Sequence, residues 1–280
     1  MPTSLRHESG KSAKVKILFS TGCLYYLPIR DIFTIAGEAG FEGCDLVIDS
    51  RFNDPRFIDK VRECLDILPV YSVHAPFAKM RSWGSSQEIL SRTLEIGSIL
   101  GAGVVNFHPP SWYSMEMKFF RWFKKVKDFQ EEFECRGCSL AVENMPLLGK
   151  RLMLAPYVLN AYEDLISFGM ERNLYFTFDT THLGTFGGDV VAAFLKFFST
   201  GRLKNIHISD YGGYKSHLFL GRGDLPVAKL LNTARRLGYD EYVTLELAPH
   251  ELPKTRPWLV KMLEYQASLL KLHLGVSRNG

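Results

Sequence analysis

The chain has 280 residues, 46% of them apolar and 23% charged, with a formal net charge of +4. These are ordinary globular values at a length that suits one large α/β domain or two small ones, which excludes disordered and fibrous classes. The mild basicity suits an anionic substrate of any size, and no apolar run approaches the roughly 20 residues that span a bilayer.

Residues 1–15 are polar and basic and carry no hydrophobic core of a signal peptide. They read as a loose leader before a single domain at 16–280, with the cytoplasm as the default location. From residue 16 onward, short β-rich runs alternate with amphipathic segments. Run 16–20 is followed by a helical pattern over 31–40, where Ile32, Phe33, Ile35 and Ala36 share a side and Gly40 closes the end. Run 43–48 precedes a helix at 57–68, run 71–75 one at 86–100, and run 104–109 one at 114–134. Runs 139–143, 174–180, 205–209 and 242–247 precede helices at 156–172, 189–199, 226–237 and 256–273. Pro156 and Pro226 stand near helix starts, where a missing N–H costs little. The runs are near-continuously apolar and rich in Val, Ile, Phe and Leu, as strands covered on both faces are. Eight strand–helix units are the count of a closed (β/α)₈ TIM barrel. An open doubly wound sheet is the alternative, but it usually shows fewer strands in a chain of this size. Of the five cysteines, Cys135 and Cys138 form a C-x-x-C pair. With no second such pair, they and Cys23, Cys44 and Cys64 read as ordinary reduced thiols.

In a parallel barrel the active site lies where strands end and loops begin. There the sequence places His74, His108, Glu143, Asp179, His207 and Glu246, from the third strand to the eighth, with His182 close behind. Each alone is weak evidence, since a strand-end His is often a hydrogen-bonded rim residue and a strand-end acid often caps a helix. Together they are different: carboxylates and imidazoles around one axis are expensive to bury unless a cation pairs with them. Mixed imidazole and carboxylate ligands suit one or two ions of zinc, manganese, iron(II) or cobalt rather than magnesium or calcium.

The segments His74-Ala75-Pro76, Asn106-Phe107-His108-Pro109, Glu143-Asn144, Asp179-Thr180-Thr181-His182 and His207-Ile208-Ser209-Asp210 resemble the xylose-isomerase-like barrel superfamily. It holds the endonuclease IV family of abasic-site nucleases and the sugar isomerases and epimerases. The resemblance runs from Ser20-Thr21-Gly22 to Glu246. The nuclease pattern implies a first zinc on His74, His108 and Glu143 and a second on Glu143, Asp179, His207 and Glu246. It implies a third on His182, an Asp and a His two residues further on. Judged from the following Leu220-Gly221-Arg222-Gly223, that pair aligns with Lys215 and His217. An ammonium does not ligate a metal, which speaks against the third zinc and against DNA as the partner. Asp210 and Asp224 lack the matching spacing. The isomerase pattern implies one metal on Glu143, Asp179, His207 and Glu246. Glu143 and Glu246 then exchange a proton with the carbon beside a carbonyl, and His182 bonds a substrate oxygen. The expected function is thus a metal-dependent sugar or sugar-phosphate isomerase or epimerase. An abasic-site endonuclease is the alternative, and lyases and metal-holding scaffolds share the same frame.

His217, Lys215 and Arg222 complete the expected substrate contacts. Arg222 lies in the loop Gly221-Arg222-Gly223-Asp224, where a guanidinium would fork onto a phosphate. Trp112, Tyr113, Phe119, Phe120, Trp122 and Phe123, interleaved with Lys118, Arg121, Lys124, Lys125 and Lys127, suit either base stacking or a helix packed on the barrel, and the packed helix is expected. Tyr25, Tyr26, Phe77 and Trp83 are expected in loops on the catalytic face, some walling the pocket.

Overall fold

The computed structural model describes residues 15–77, 79–112, 117–134, 137–149 and 154–276. The leader expected at 1–15 lies outside them but for Val15, as do Tyr113, Cys135 and residues 277–280. The strands are β1 (Lys16–Ser20), β2 (Gly43–Val47), β3 (Val70–His74), β4 (Val104–Phe107), β5 (Ser139–Glu143), β6 (Tyr175–Asp179), β7 (Leu203–Ile208), β8 (Asp210–Gly212), β9 (Lys215–Leu218) and β10 (Tyr242–Leu245). The helices are α1 (Ile29–Glu38), α2 (Phe57–Arg62), α3 (Ser86–Leu100), α4 (Met117–Lys125), α5 (Phe129–Glu132), α6 (Tyr162–Glu171), α7 (Thr180–Gly184), α8 (Val190–Ser199), α9 (Val227–Arg236) and α10 (Arg256–Leu274).

Eight parallel strands close on themselves in the order β1-β10-β7-β6-β5-β4-β3-β2, which is a (β/α)₈ barrel and not an open sheet. Side chains alternate along each strand, and here the two sets differ in chemistry. One set, such as Val105 and Phe107, Phe176 and Phe178, or Ile206 and Ile208, joins the continuous apolar core under the helices. The other faces the axis and includes Asp45, Ser72, His74, Asn106, Glu143, Thr177, Asp179, Asn205, His207 and Thr244, all buried. The cohesion of the barrel therefore sits outside it, and its interior is free to be polar. Helix α8 shows how the outer layer forms. Asp189 caps it by accepting the N–H groups of Val191 and Ala192 at 2.9 and 3.0 Å. Val190, Val191, Ala193, Phe194 and Phe197 then form one buried face. Phe194 and Phe197 lie 6.1 and 5.3 Å from the Phe178 ring. Each buried Phe contributes roughly 1.5–3 kcal/mol of hydrophobic stabilisation.

Several sequence expectations are corrected. Helix α2 stops at Arg62, not 68, because the next carbonyls are taken by tighter turns such as Leu65 N–H to Arg62 O at 3.1 Å. The single helix expected at 114–134 is two, broken where Asp128 accepts the Glu131 N–H and starts α5. Helix α6 begins at Tyr162, not Pro156; the Pro156 carbonyl instead accepts Trp112 N–H at 2.7 Å, pinning that loop to the one after β4. The hairpin β8–β9 was not foreseen. It turns at Gly213 and Tyr214, with φ of 55° and 61°, the two positive values that a tight two-residue hairpin needs. Trp83 lies in the loop after β3, as expected, but it is buried there. The C-x-x-C pair cannot be followed, since Cys135 is outside the described residues; Cys138 is a buried free thiol that donates to Ala102 O at 3.1 Å.

Candidate metal centre and active site

Six strands deliver their last inward-facing side chains to one point. Glu143, at the end of β5, is 1% exposed and sits at the centre. Its Oε2 lies 3.0 Å from His74 Nε2, 3.6 Å from His108 Nε2 and 3.5 Å from His207 Nδ1, and its Oε1 lies 3.0 Å from His182 Nδ1. Glu246, one residue past β10, places Oε2 2.9 Å from His207 Nδ1. Asp179 ends β6 and caps α7, accepting the His182 N–H on Oδ1 at 2.6 Å. Asn144 fixes this corner. Its side chain donates to Asp179 O and accepts Asp179 N–H, and its carbonyl accepts His182 Nδ1–H at 2.9 Å.

The charge balance follows from this crowding. Burial by itself would raise the Glu143 carboxyl, but His207 and the other imidazoles around it hold it well below the usual carboxylate range. Glu246 is likewise opposed by burial and held down by His207, to about 2. Burial would lower the His182 ring, yet Asp179 and Glu143 raise it to about 9. Burial wins at His108, which is lowered, and at Asp179, which is raised.

The residues fit a divalent cation on two independent grounds. Their donor atoms fall into three overlapping groups: His74, His108 and Glu143; Glu143, Asp179, His207 and Glu246; and Asp179, His182 and His217. Moreover, His108 Nε2, Asp179 Oδ2 and His207 Nδ1 are buried without a hydrogen-bond partner. His207 Nδ1 is short of one even at 2.9 Å from Glu246, so the two atoms are close but not aligned with each other. Nitrogen and oxygen atoms that converge without bonding are arranged around a shared point, as ligands of a cation are. The third group corrects an expectation in part: Asp179 reaches His182 and His217 and supplies a carboxylate where Lys215 offers none.

The matching family model covers residues 33–267 and describes a xylose isomerase-like TIM barrel. This chain belongs to that family. An uncharacterised protein of Mycobacterium tuberculosis is 27% identical over 263 residues, covering 84% of this chain and 89% of the relative. Among solved structures, a D-tagatose 3-epimerase-like protein aligns with a TM-score of 0.68 and 20% identity, covering 94% of this chain and 98% of its own. The probable 3-DHS dehydratase AsbF of Bacillus anthracis aligns at 0.67 and 13% identity, covering 90% and 99%. The IOLI protein, solved with a zinc atom, aligns at 0.67 and 16% identity, covering 92% and 99%. Identities this low show the shared barrel.

Around the metal groups this xylose isomerase-like barrel leaves room for a small molecule. A cavity of about 340 Å³ between the loops after β3 and β4 is lined by Phe77, Lys79, Phe107, His108, Phe119 and Tyr157. A second, of about 610 Å³, lies beside Tyr25, Val47, Phe77 and Arg81. Phe77 borders both; it is 53% exposed, with its ring 4.7 Å from His74 and 5.5 Å from His108. His217 stands on β9 with its ring 5.4 Å from His182. Lys215 is exposed at the start of β9, and Arg222 pairs with Glu251 at 3.2 Å. Asp210 is fully used as a clamp, accepting the N–H groups of Tyr211, Gly221, Gly223 and Leu225. The aromatic helix α4 packs as expected, with Phe123 buried against Phe129 and Phe168, while Phe119 reaches the first cavity. Among the described residues no helix is long and apolar enough to cross a membrane.

One polar layer escaped the sequence reading. Below the metal groups Asn106 donates to Asp45 Oδ1 at 3.2 Å and to Ser72 at 2.8 Å, and accepts the Thr177 hydroxyl. Thr244 donates to Asn205, which donates to Ser72. The one available signal was an acid, Asp45, in the middle of the apolar run of β2.

Proposed function

We propose that the protein is a divalent-metal-dependent isomerase or epimerase of a sugar or sugar phosphate. The observation that carries the reading is the pair of carboxylates held low, Glu143 and Glu246, both within 3.5 Å of His207 Nδ1 in a group that Asp179 completes. Glu143, Asp179, His207 and Glu246 would hold the metal, with zinc, manganese, iron(II) or cobalt suited to this donor set. A bound divalent ion polarises a carbonyl and an adjacent hydroxyl, which acidifies the intervening carbon. Glu246 and Glu143 then take a proton from that carbon on one face and return one on the other. His182, beside Asp179 and Glu143, donates a ring N–H to a substrate oxygen. Phe77 and Tyr157 wall the sugar-sized cavity beside His108.

The test is deuterium exchange. The manganese- or zinc-loaded protein is incubated in D₂O with a panel of ketoses, aldoses and their phosphates, and the carbon next to the carbonyl is followed by NMR. Exchange that disappears in Glu246→Gln supports the reading; no exchange on any panel member overturns it.

A second reading keeps one observation in its favour. His74, His108 and His217 go beyond what a single metal needs, and with Glu143 and Asp179 they complete two further donor groups. Three metals suit an abasic-site endonuclease, in which phosphodiester hydrolysis replaces proton transfer. Nicking of an abasic duplex at three metals per chain, with no sugar exchange, would decide for it.

A further inference from the structure

We infer that Asp45 is the positioning residue of the metal centre, accepting the Nε2–H of His207 and so keeping Nδ1 turned toward Glu143, Asp179 and Glu246. The inference rests on the metal reading above. His207 has two ring nitrogens facing two different worlds. Nδ1 looks up at Glu246 and Glu143, at 2.9 and 3.5 Å. Nε2 looks down into the polar layer, where Asp45 Oδ2 lies 4.0 Å away and Asn106 Nδ2 3.5 Å away. Only one nitrogen of a neutral imidazole carries hydrogen, so when Nδ1 gives its lone pair to a metal the hydrogen is on Nε2 and needs an acceptor.

The layer offers one. The Asn106 amide nitrogen is itself a donor, committed to Ser72 and Asp45 Oδ1, and its oxygen takes the Thr177 hydroxyl. Asn205 is engaged with Ser72 and Thr244. Asp45 is wholly buried, and its Oδ2 has no hydrogen-bond partner. A movement of about 1 Å brings the 4.0 Å gap to hydrogen-bond length. Asp45 sits on β2 and His207 on β7, three strands apart around the barrel by the shorter path, so the pair forms across the barrel interior. A carboxylate that holds a ligand histidine by its second nitrogen fixes the orientation of the ring and raises its basicity as a ligand.

Zinc affinity is measured by chelator competition on the full-length wild type, Asp45→Asn and Glu246→Gln, alongside NMR of the zinc-loaded, ¹⁵N-histidine-labelled wild type. We expect zinc binding to weaken about 10- to 100-fold in Asp45→Asn. In the wild type we expect a low-field, slowly exchanging His207 Nε2–H resonance that moves upfield in the variant. Wild-type binding with Asp45→Asn within twofold of it overturns the role of Asp45 alone. So does a wild-type spectrum with no such resonance, a result that stands even if the variant does not fold. A wild type whose zinc affinity is indifferent to Glu246→Gln instead removes the metal reading on which the inference stands.

Discussion

Two polar layers are stacked inside this barrel, and they are built on opposite terms. The lower layer, formed by Ser72, Asn106, Thr177, Asn205, Thr244 and the Asp45 Oδ1, satisfies itself: almost every donor meets an acceptor once the strands close. The upper layer brings four imidazoles around Glu143 and leaves His108 Nε2, Asp179 Oδ2 and His207 Nδ1 without bonds. Folding completes the first apart from Asp45 Oδ2; the second keeps three buried atoms without partners. The difference teaches where stability and function separate, because unpaired buried groups persist only where a fold is used for more than its own cohesion.

The sharpest way to break this contrast is at Glu143, which faces all four imidazoles and belongs to two of the three donor groups. Glu143→Gln should lower sugar-proton exchange by about 10³-fold or more and abolish tight zinc binding, read by NMR exchange and metal content. If exchange persists, the upper layer is not catalytic. Next in size is the lower layer. Asn106→Leu strands Asp45, Ser72 and Thr177 together and should cost about 2–4 kcal/mol in urea unfolding, far more than a polar-to-apolar change at an exposed site.

Metal addition tests the upper layer from the other side. Zinc or manganese at about 100 times its dissociation constant should add about 2.7 kcal/mol and raise the melting temperature by several degrees, and a chelator should remove the gain. Glu246→Gln should blunt the shift, whereas Thr244→Val, confined to the lower layer, should leave it intact.

The pH profile of the metal-free protein gives a smaller effect with a fixed sign. His182 rises from 6.5 to about 9 in the fold. Its stabilisation is therefore fully present below pH 6.5 and is lost as pH climbs toward 9. Glu246 falls from 4.5 to about 2, so its contribution is present above pH 4.5 and is lost as pH drops toward 2. The melting temperature should thus be highest between about pH 4.5 and 6.5 and decline by a few degrees on the alkaline side, a decline that His182→Gln reduces in part, because His74 and His207 are raised in the same direction. Phe77→Ala should matter least for stability, since the ring is 53% exposed, while raising the substrate KM several-fold if the ring walls the sugar.

The barrel and the upper layer were largely legible because both are written in local pattern. Apolar runs of strand length separated by amphipathic segments give the eight units, and position at the end of a run gives His74, His108, Glu143, Asp179 and His207. The hairpin β8–β9 was missed because its strands are three and four residues long and polar. The split between α4 and α5 was missed because Asp128 reads as one more charge in a charged helix.

The amino-acid order thus determined the alternating strands and helices and the chemistry delivered to each strand end, since both depend on neighbours in the chain. Closure of the barrel decided everything that joins distant strands: that Asp45 meets Asn106 and faces His207, that Asp179 supplies the group with His182 and His217, and which nitrogen of each ring looks into the site. Those contacts are set by the register and curvature of eight strands together, and no run of residues within one strand carries that information.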